Sequence, residues 1–206
     1  MFISLCTQGL LAEAQQLLAT APTINVGARN ELAFRAACDE NHLAVARWIF
    51  AIRPDTDISV LNEDAFRCAC SRGHLKVARW LLKVKPDIDV RVDRDSVFKT
   101  VCFHGYTAMA KWMLAARGDI NVLDDESVAF RYACANGQLE LAQWLVSAEP
   151  RIRIGGNTAD SAFFHACNNG HADVVQWLIS RDYTIASPHF TAGDRVTCTR
   201  KKKVSK

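Results

Sequence analysis

Glu63-Asp-Ala-Phe-Arg-Cys-Ala-Cys-Ser-Arg-Gly-His-Leu-Lys-Val-Ala-Arg-Trp-Leu-Leu-Lys-Val-Lys-Pro-Asp-Ile-Asp-Val90 holds one complete unit of the pattern from which this chain is built. Its first part predicts a short helix, because Phe66, Ala69 and Cys70 fall at i, i+3 and i+4 and so share one face. Gly73 breaks that helix. A second helix follows, with Leu75, Ala78, Leu81 and Leu82 on its inner face and Lys76, Arg79 and Lys83 outside. Pro86 stops it, and Asp87-Ile-Asp-Val-Arg91 reads as an extended connection to the next element.

The unit recurs along the chain. Trp48, Trp80, Trp112, Trp144 and Trp177 are spaced 32, 32, 32 and 33 residues apart. Cys6, Cys38, Cys70, Cys102, Cys134 and Cys167 keep the same interval, as do Phe2, Phe34, Phe66, Phe98, Phe130 and Phe163. Pro22, Pro54, Pro86 and Pro150 form a fourth column, with Gly118 in the remaining place. One shared insertion near residues 155–161 shifts every column together. The period divides the chain into a partial repeat (1–30), repeats at 31–62, 63–94, 95–126 and 127–159, a last repeat (160–190) and a tail (191–206). Such short helices do not stand alone in water. Stacked neighbours bury each other's apolar faces, so the expected fold is an all-α solenoid of helix-turn-helix repeats joined by short extended or hairpin connections.

Composition agrees with a globular chain: 206 residues, half of them hydrophobic and 23% charged. No uncharged apolar run reaches the roughly 18 residues a spanning helix needs. The apolar start before Ala19-Thr-Ala21 lacks a positive leader and is interrupted by Glu13, Gln15 and Gln16, so it reads as part of the first repeat and not as a secretory signal. The net charge of +3 is unevenly placed. Residues 194–206 carry six basic side chains and one acid, which leaves −2 for the rest. Bulk charge therefore gives no support to a nucleic-acid-binding body.

With these residues in view, the unit resembles the ankyrin repeat. A small-residue pair precedes a Gly73-His74 turn, a second helix runs into leucines, and an Asp-Val segment connects units. Gly170-His171 matches the turn fully, Asn41-His42 keeps the His, and Gly105-Tyr106 and Gly137-Gln138 keep the Gly. The family's Thr-Pro-Leu-His opening is replaced by Asp64-Ala-Phe-Arg67 and its equivalents, and Trp replaces the first Leu of the second helix. This dialect is similar to the ankyrin arrays of giant DNA viruses and some protists. The resemblance covers about residues 2–187 and implies a fold, while function resides in grafted surface sites.

The columns have structural explanations. Six cysteines occupy the inner face of the first helices, where a thiol packs as a small hydrophobe. Stacked helices lie about 8–10 Å apart, beyond the roughly 7 Å reach of a disulfide. No CxxC pair suggests zinc, so reduced thiols in an intracellular, cytoplasmic protein are expected, with Cys198 as the exposed one. The tryptophans belong to the packing between repeats, and Gln16 takes their place in the leading repeat as a polar cap. Arg35, Arg67, Lys99 and Arg131 form a basic stripe. Glu31, Glu63 and Asp95 stand four residues before the first three, which predicts i,i+4 ion pairs. Ser127 breaks that series and leaves Arg131 the least neutralised. Arg47, Arg79 and Lys111 read as a solvated outer face.

No chemistry-bearing constellation stands out. His42, His74 and His171 belong to the turns, and His104, His165 and His189 have no nucleophile and acid at a recognisable spacing. Gly155-Gly156 is a lone pair, not a phosphate loop. The chain reads as no enzyme, with no cofactor and no metal. The ankyrin resemblance implies a concave strip made of connection tips and first-helix ends. Transferred to this sequence, the tips are Asn62, Asp93, Arg94, Asp124, Asp125, Glu126 and Asn157. The helix ends are Ser71-Arg72, Phe103-His104, Ala135-Asn136 and Asn168-Asn169. Phe103 stands out because its counterparts Ser71, Ala135 and Asn168 are small or polar. With Arg72 and Tyr132 it is the expected anchor for a protein partner of a monomeric module; its competing explanation is packing over Gly105-Tyr-Thr107. The alternative function is binding of nucleic acid or an anionic surface through Thr199-Arg-Lys-Lys-Lys203 and the Arg131 side of the stripe; the basic run also opens the nucleus as a location. Ser187-Pro-His-Phe190 is placed to cover the last repeat.

Overall fold

The computed structural model describes residues 1–154 and 162–181, with the backbone alone for residues 92–94. Among them are twelve helices in six pairs: α1 (Phe2–Thr7) and α2 (Leu11–Thr20), α3 (Ala28–Asp39) and α4 (Leu43–Ile52), α5 (Val60–Ser71) and α6 (Leu75–Val84), α7 (Val92–His104) and α8 (Thr107–Ala116), α9 (Asp124–Ala135) and α10 (Leu139–Ala148), α11 (Ala162–Asn168) and α12 (Ala172–Arg181). The chain forms two compact units, Met1–Asp93 and a second that begins at Arg94. In the first unit α3 packs on α1 and on α5, and in the second α11 packs on α9. Each unit is thus a stretch of all-α solenoid. No described helix is long and apolar enough to cross a membrane.

The periodic columns are the core. Phe34, Phe66, Phe98 and Phe130 are fully buried on the first helices, beside Cys38, Cys70, Cys102 and Cys134. On the second helices the buried set is Val77, Ala78 and Leu81 and its equivalents, whereas Leu75 and Leu82 are only half-buried. Val77 thus takes the deep place expected of Leu75 and Leu82, because the face turned toward α5 is centred one residue further round the helix. The indoles are half-buried, and each well-defined pair reaches back one repeat. Ring centroids are 6.1 Å apart for Phe2 and Trp48, 6.0 Å for Phe34 and Trp80, and 6.3 Å for Phe130 and Trp177. Gln16, at the same place on α2, is exposed.

The turns between paired helices are built from glycine. Gly9, Gly73, Gly105, Gly137 and Gly170 all have φ between +72° and +77°. Where it is well defined, the residue after the next repeat's turn glycine, or after Asn41 in its place, closes over them. A Cβ on Gly9 would stand 2.4 Å from the His42 ring, one on Gly137 2.6 Å from the His171 ring, and one on Gly105 2.2 Å from the Gln138 amide. The turn histidine also bonds to backbone as expected, His74 Nε2 lying 2.9 Å from the carbonyl oxygen of Asp39.

The connections differ from the hairpin expected of them. They form no strand among the described residues. Ile58, Ile88, Val90, Ile120 and Val122 point inward at alternate positions. Three of the connections then bend sharply, because the carboxylates of Asp57 and Asp89 and the amide of Asn121 accept the N–H groups of Ser59, Arg91 and Leu123. The chain enters the next first helix through a left-handed turn of three residues. Arg29-Asn30-Glu31, Leu61-Asn62-Glu63 and Asp125-Glu126-Ser127 all have φ between 47° and 61°, and Asp95 has φ 59°. That conformation costs roughly 1–2 kcal/mol per residue, so neighbouring contacts must hold it.

Those contacts converge on the last residue of each turn. Glu31, Glu63, Asp95 and Ser127 are buried. Glu31 pairs with Arg53 at the end of α4, 3.0 Å away, and Asp95 accepts the Asn121 N–H at 3.3 Å. Lys85, Arg117 and Glu149 stand at the place of Arg53 in the following repeats. Charge there reverses where the acid is lost, Ser127 being matched by Glu149. Glu63 keeps one buried carboxylate oxygen without a hydrogen bond, and Lys85 turns to Asp87.

Candidate partner-binding surface

The exposed side of the first helices carries the basic stripe, and its electrostatics depart from the i,i+4 expectation. Arg35 pairs with Asp64 on α5, and its Nε–H donates to the Asn30 carbonyl. Arg67 lies 3.7 Å from the same Asp64. Lys99 donates to Asp124 at 2.7 Å and Asp125 at 2.6 Å. The acids four residues upstream sit in or at the end of left-handed turns, so the 3.6-residue register that would align them with the bases does not reach them. Arg35 and Lys99 instead clip one repeat to the next. Burial alone would lower the Lys99 pKa, but the two aspartate hydrogen bonds outweigh it and hold it above the ordinary lysine value. Arg47, Arg79 and Lys111 are exposed, as expected of the outer helices, and Lys111 reaches Glu140.

Residues singled out by sequence separate into three groups. Arg72 belongs to the first unit, where Asp39 at 2.9 Å and Glu40 at 3.1 Å hold its guanidinium. Asn62 and Glu126 are exposed in the middle of left-handed turns, and Asp124 and Asp125 hold Lys99. The side chains of Asp93 and Arg94, Asn157, His189, Cys198, the Ser187–Phe190 segment and the basic tail lie outside the described residues.

The third group forms a groove in the second unit. Phe103 and Tyr132 meet edge to face, with centroids 5.4 Å apart and planes at 86°. They remain 42% and 38% exposed. Phe103 does not fold over its own turn; His104 does that, lying 5.7 Å from Tyr106 and nearly parallel to it. The groove has a volume of about 350 Å³ and is lined by Phe103 from α7, Val128, Arg131, Tyr132 and Ala135 from α9, His165 from α11, and Asn136 and Asn169 just past the ends of α9 and α11. Asn136 Nδ2 donates to the Tyr132 carbonyl, Asn169 Nδ2 donates to the Ala135 carbonyl, and Arg131 donates to the Asp125 carbonyl. Asn168 is exposed beside this rim.

Sequence reasoning named Phe103, Tyr132, Ala135, Asn136 and Asn169 for this surface and Arg131 for the stripe beside it, and left out Val128 and His165. A signal was there. Val128, Arg131, Tyr132 and Ala135 fall at i, i+3, i+4 and i+7, a second ordered face of α9 opposite the buried Ala129, Phe130, Ala133 and Cys134. Among the described residues no three His, Cys, Asp or Glu side chains converge as a metal site would require. The seven described cysteines are free thiols, six of them buried.

Comparison with known proteins gives the architecture its family. A model of ankyrin repeats in three copies matches residues 97–189, and one of ankyrin repeats in many copies matches residues 66–114. These are ankyrin repeats. The ankyrin repeat domain of human ASB11 is similar over 94% of this chain and 88% of its own, with a TM-score of 0.67 and 16% identity. That of Bcl-3, a member of the IκB family, is similar over 87% of this chain and 84% of its own, with a TM-score of 0.60 and 16% identity. At such identities the likeness concerns the fold. No curated protein matches the sequence.

Proposed function

We propose that this ankyrin array is a non-catalytic interaction module that holds a protein partner on the exposed side of its first helices, with Phe103 and Tyr132 as anchors. The observation that carries the reading is the edge-to-face aromatic pair left open beside a groove. Aromatic side chains concentrate binding energy at protein interfaces, and here the scaffold does not bury them. Ankyrin repeats in general bind proteins, which supports the same reading. The viral or protist flavour of the repeat dialect makes a host protein the natural partner. Buried free thiols suit a reducing, intracellular setting.

The competing reading, an anionic polymer held by the tail and stripe, is weakened because Arg35 and Lys99 are already paired with aspartates. Affinity capture from the native cell separates the two when the intact chain is compared with Phe103→Ala and each chain's melting is followed. The proposal expects partner retention to fall at least tenfold with melting nearly unchanged, and binding to survive a rise in salt. Unchanged retention, or loss of stability alone, contradicts it. Binding that collapses with salt assigns the face to phosphates instead.

A further inference from the structure

The outer face of the second helices in the first unit carries charge that the fold does not use. Residues 1–93 hold eleven basic and eleven acidic side chains, so that stretch is neutral as a whole. The two signs are nevertheless kept apart. Helices α4 and α6 contain Arg47, Lys76, Arg79 and Lys83 and no Asp or Glu. Apart from Glu13 on α2, the acids belong to first helices, turns and connections. There Glu31 and Asp55 hold Arg53, Asp39 and Glu40 hold Arg72, Asp64 holds Arg35, and Asp87 holds Lys85. Arg79 is engaged within the protein. Arg47, Lys76 and Lys83 are exposed and have no acidic partner among the described residues. In the second unit, by contrast, Glu140 stands at the place of Lys76 and pairs with Lys111 at 3.0 Å.

The three cations have a defined spacing. Lys76 and Lys83 stand seven residues apart on one face of α6, about 10 Å along its axis. Arg47 occupies the place between them on the neighbouring α4, and the two helices meet where Phe50 packs edge-on against Trp80, centroids 5.9 Å apart. At the places of Lys76 and Lys83, α4 has Ala44 and Ala51, both exposed. Long cationic side chains therefore border a strip of short ones. A helix laid along that strip has the same rise, so its residues i, i+3 or i+4, and i+7 come level with Lys76, Arg47 and Lys83. A neutral unit exerts little long-range pull on a polyanion, which leaves recognition to carboxylates matched in position.

We infer that the outer face of α4 and α6 docks an acidic helix of a protein partner, whose Asp or Glu side chains at that spacing pair with Lys76, Arg47 and Lys83. Its backbone comes close over Ala44 and Ala51. This surface does not depend on the groove beside Phe103, which belongs to the second unit. Exposed ion pairs are individually weak, so the contact is fast, salt-sensitive and set by how many pairs form together.

The test uses the full chain and two fluorescent, hydrocarbon-stapled, alanine-based helices. One carries three glutamates on one face at the stated spacing, and the other carries the same three spread around the helix. Fluorescence anisotropy at low salt is expected to show at least fivefold tighter binding of the first. Lys76→Gln combined with Lys83→Gln removes that advantage, with circular dichroism showing that the variant is folded. Lys111→Gln, whose cation is already paired with Glu140, leaves it unchanged. Lys76→Glu combined with Lys83→Glu rejects the glutamate helix and takes its lysine counterpart, a gain that misfolding cannot produce. Equal binding of the two helices, a preference that survives in the Gln variant, or no binding of either overturns the inference. A preference lost in Phe103→Ala places the peptide on the other surface and overturns it while leaving the docking reading intact. A dodecamer of deoxythymidine that displaces the helix more effectively than the unlabelled helix does assigns the face to nucleic acid. Self-association of the free chain that the Gln variant abolishes assigns it to a second copy; either result overturns the inference as well.

Discussion

Gly137 combines a φ of +72° with a His171 ring 2.6 Å from where a Cβ would stand, so a side chain there meets strain and a neighbour together. Gly118 has nothing within 4 Å. Gly137→Ala is expected to cost about 1–2 kcal/mol and Gly118→Ala to be neutral or slightly stabilising, as measured by urea unfolding. Equal effects at the two sites would contradict this reading of the turns. The turn glycine is legible in the sequence as a helix breaker, but its second reason is not, since the closing His or Gln comes from the next repeat. The left-handed turns were likewise hidden. Arg29, Leu61 and Glu126 give no local cue, because the conformation is imposed by the bent connection before them and the buried residue that ends each turn. Leu61 is exposed at φ 55°, so Leu61→Val, with a β-branched side chain, is predicted to lower the melting temperature, and Leu61→Gly to leave it unchanged or raise it.

At the scale of helices, the acid and base columns do not pair with each other: Glu31 holds Arg53, and Arg35 holds Asp64. Regular spacing of four is meaningful only inside one right-handed helix, and each acid lies where that helix has not yet begun. Double-mutant cycles distinguish the two pairings. Arg35 and Asp64, with side chains only 15% and 20% exposed, are expected to couple by about 1 kcal/mol or more, and Glu31 with Arg53 comparably. Glu31 and Arg35 are expected to be additive, and the exposed pair Lys111 and Glu140 to couple by no more than about 0.5 kcal/mol. Strong coupling of Glu31 to Arg35 would restore the i,i+4 pairing. The outer face of α9 was legible by the same periodicity that marks its inner face. The groove itself is not legible in any one helix, because three successive first helices make it.

Across the whole chain, the repeat period was enough to give the all-α class, the helix pairs and the buried columns, because one short helix pair cannot bury its apolar face without a neighbour. The same period also set thiols on every inner face, and this has a consequence in alkali. Burial raises the Cys6 thiol from 9.0 to about 11. Burial, with Asp64 and Asp39 nearby, raises Cys68 to about 11, and burial pushes Cys38, Cys70, Cys102 and Cys134 higher still. Below pH 9 the folded and unfolded chains both keep these protons and stability is complete. Between pH 9 and 11 the unfolded chain releases protons that the folded chain retains, so stability falls as pH rises. The urea midpoint is expected to drop across that window, and less steeply in a Cys6→Ala, Cys68→Ala variant; parallel curves would rule out the thiols as the cause.

The central claim is that each repeat shelters the one before it, the indole of a second helix resting on the preceding repeat's phenylalanine. A double-mutant cycle on Phe34→Leu and Trp80→Leu, with Phe2→Leu and Trp80→Leu as the pair two repeats apart, measures this directly by equilibrium urea unfolding. The account predicts a coupling of about 0.5–1.5 kcal/mol between Phe34 and Trp80 and additivity for the distant pair. Additivity between Phe34 and Trp80 would contradict it.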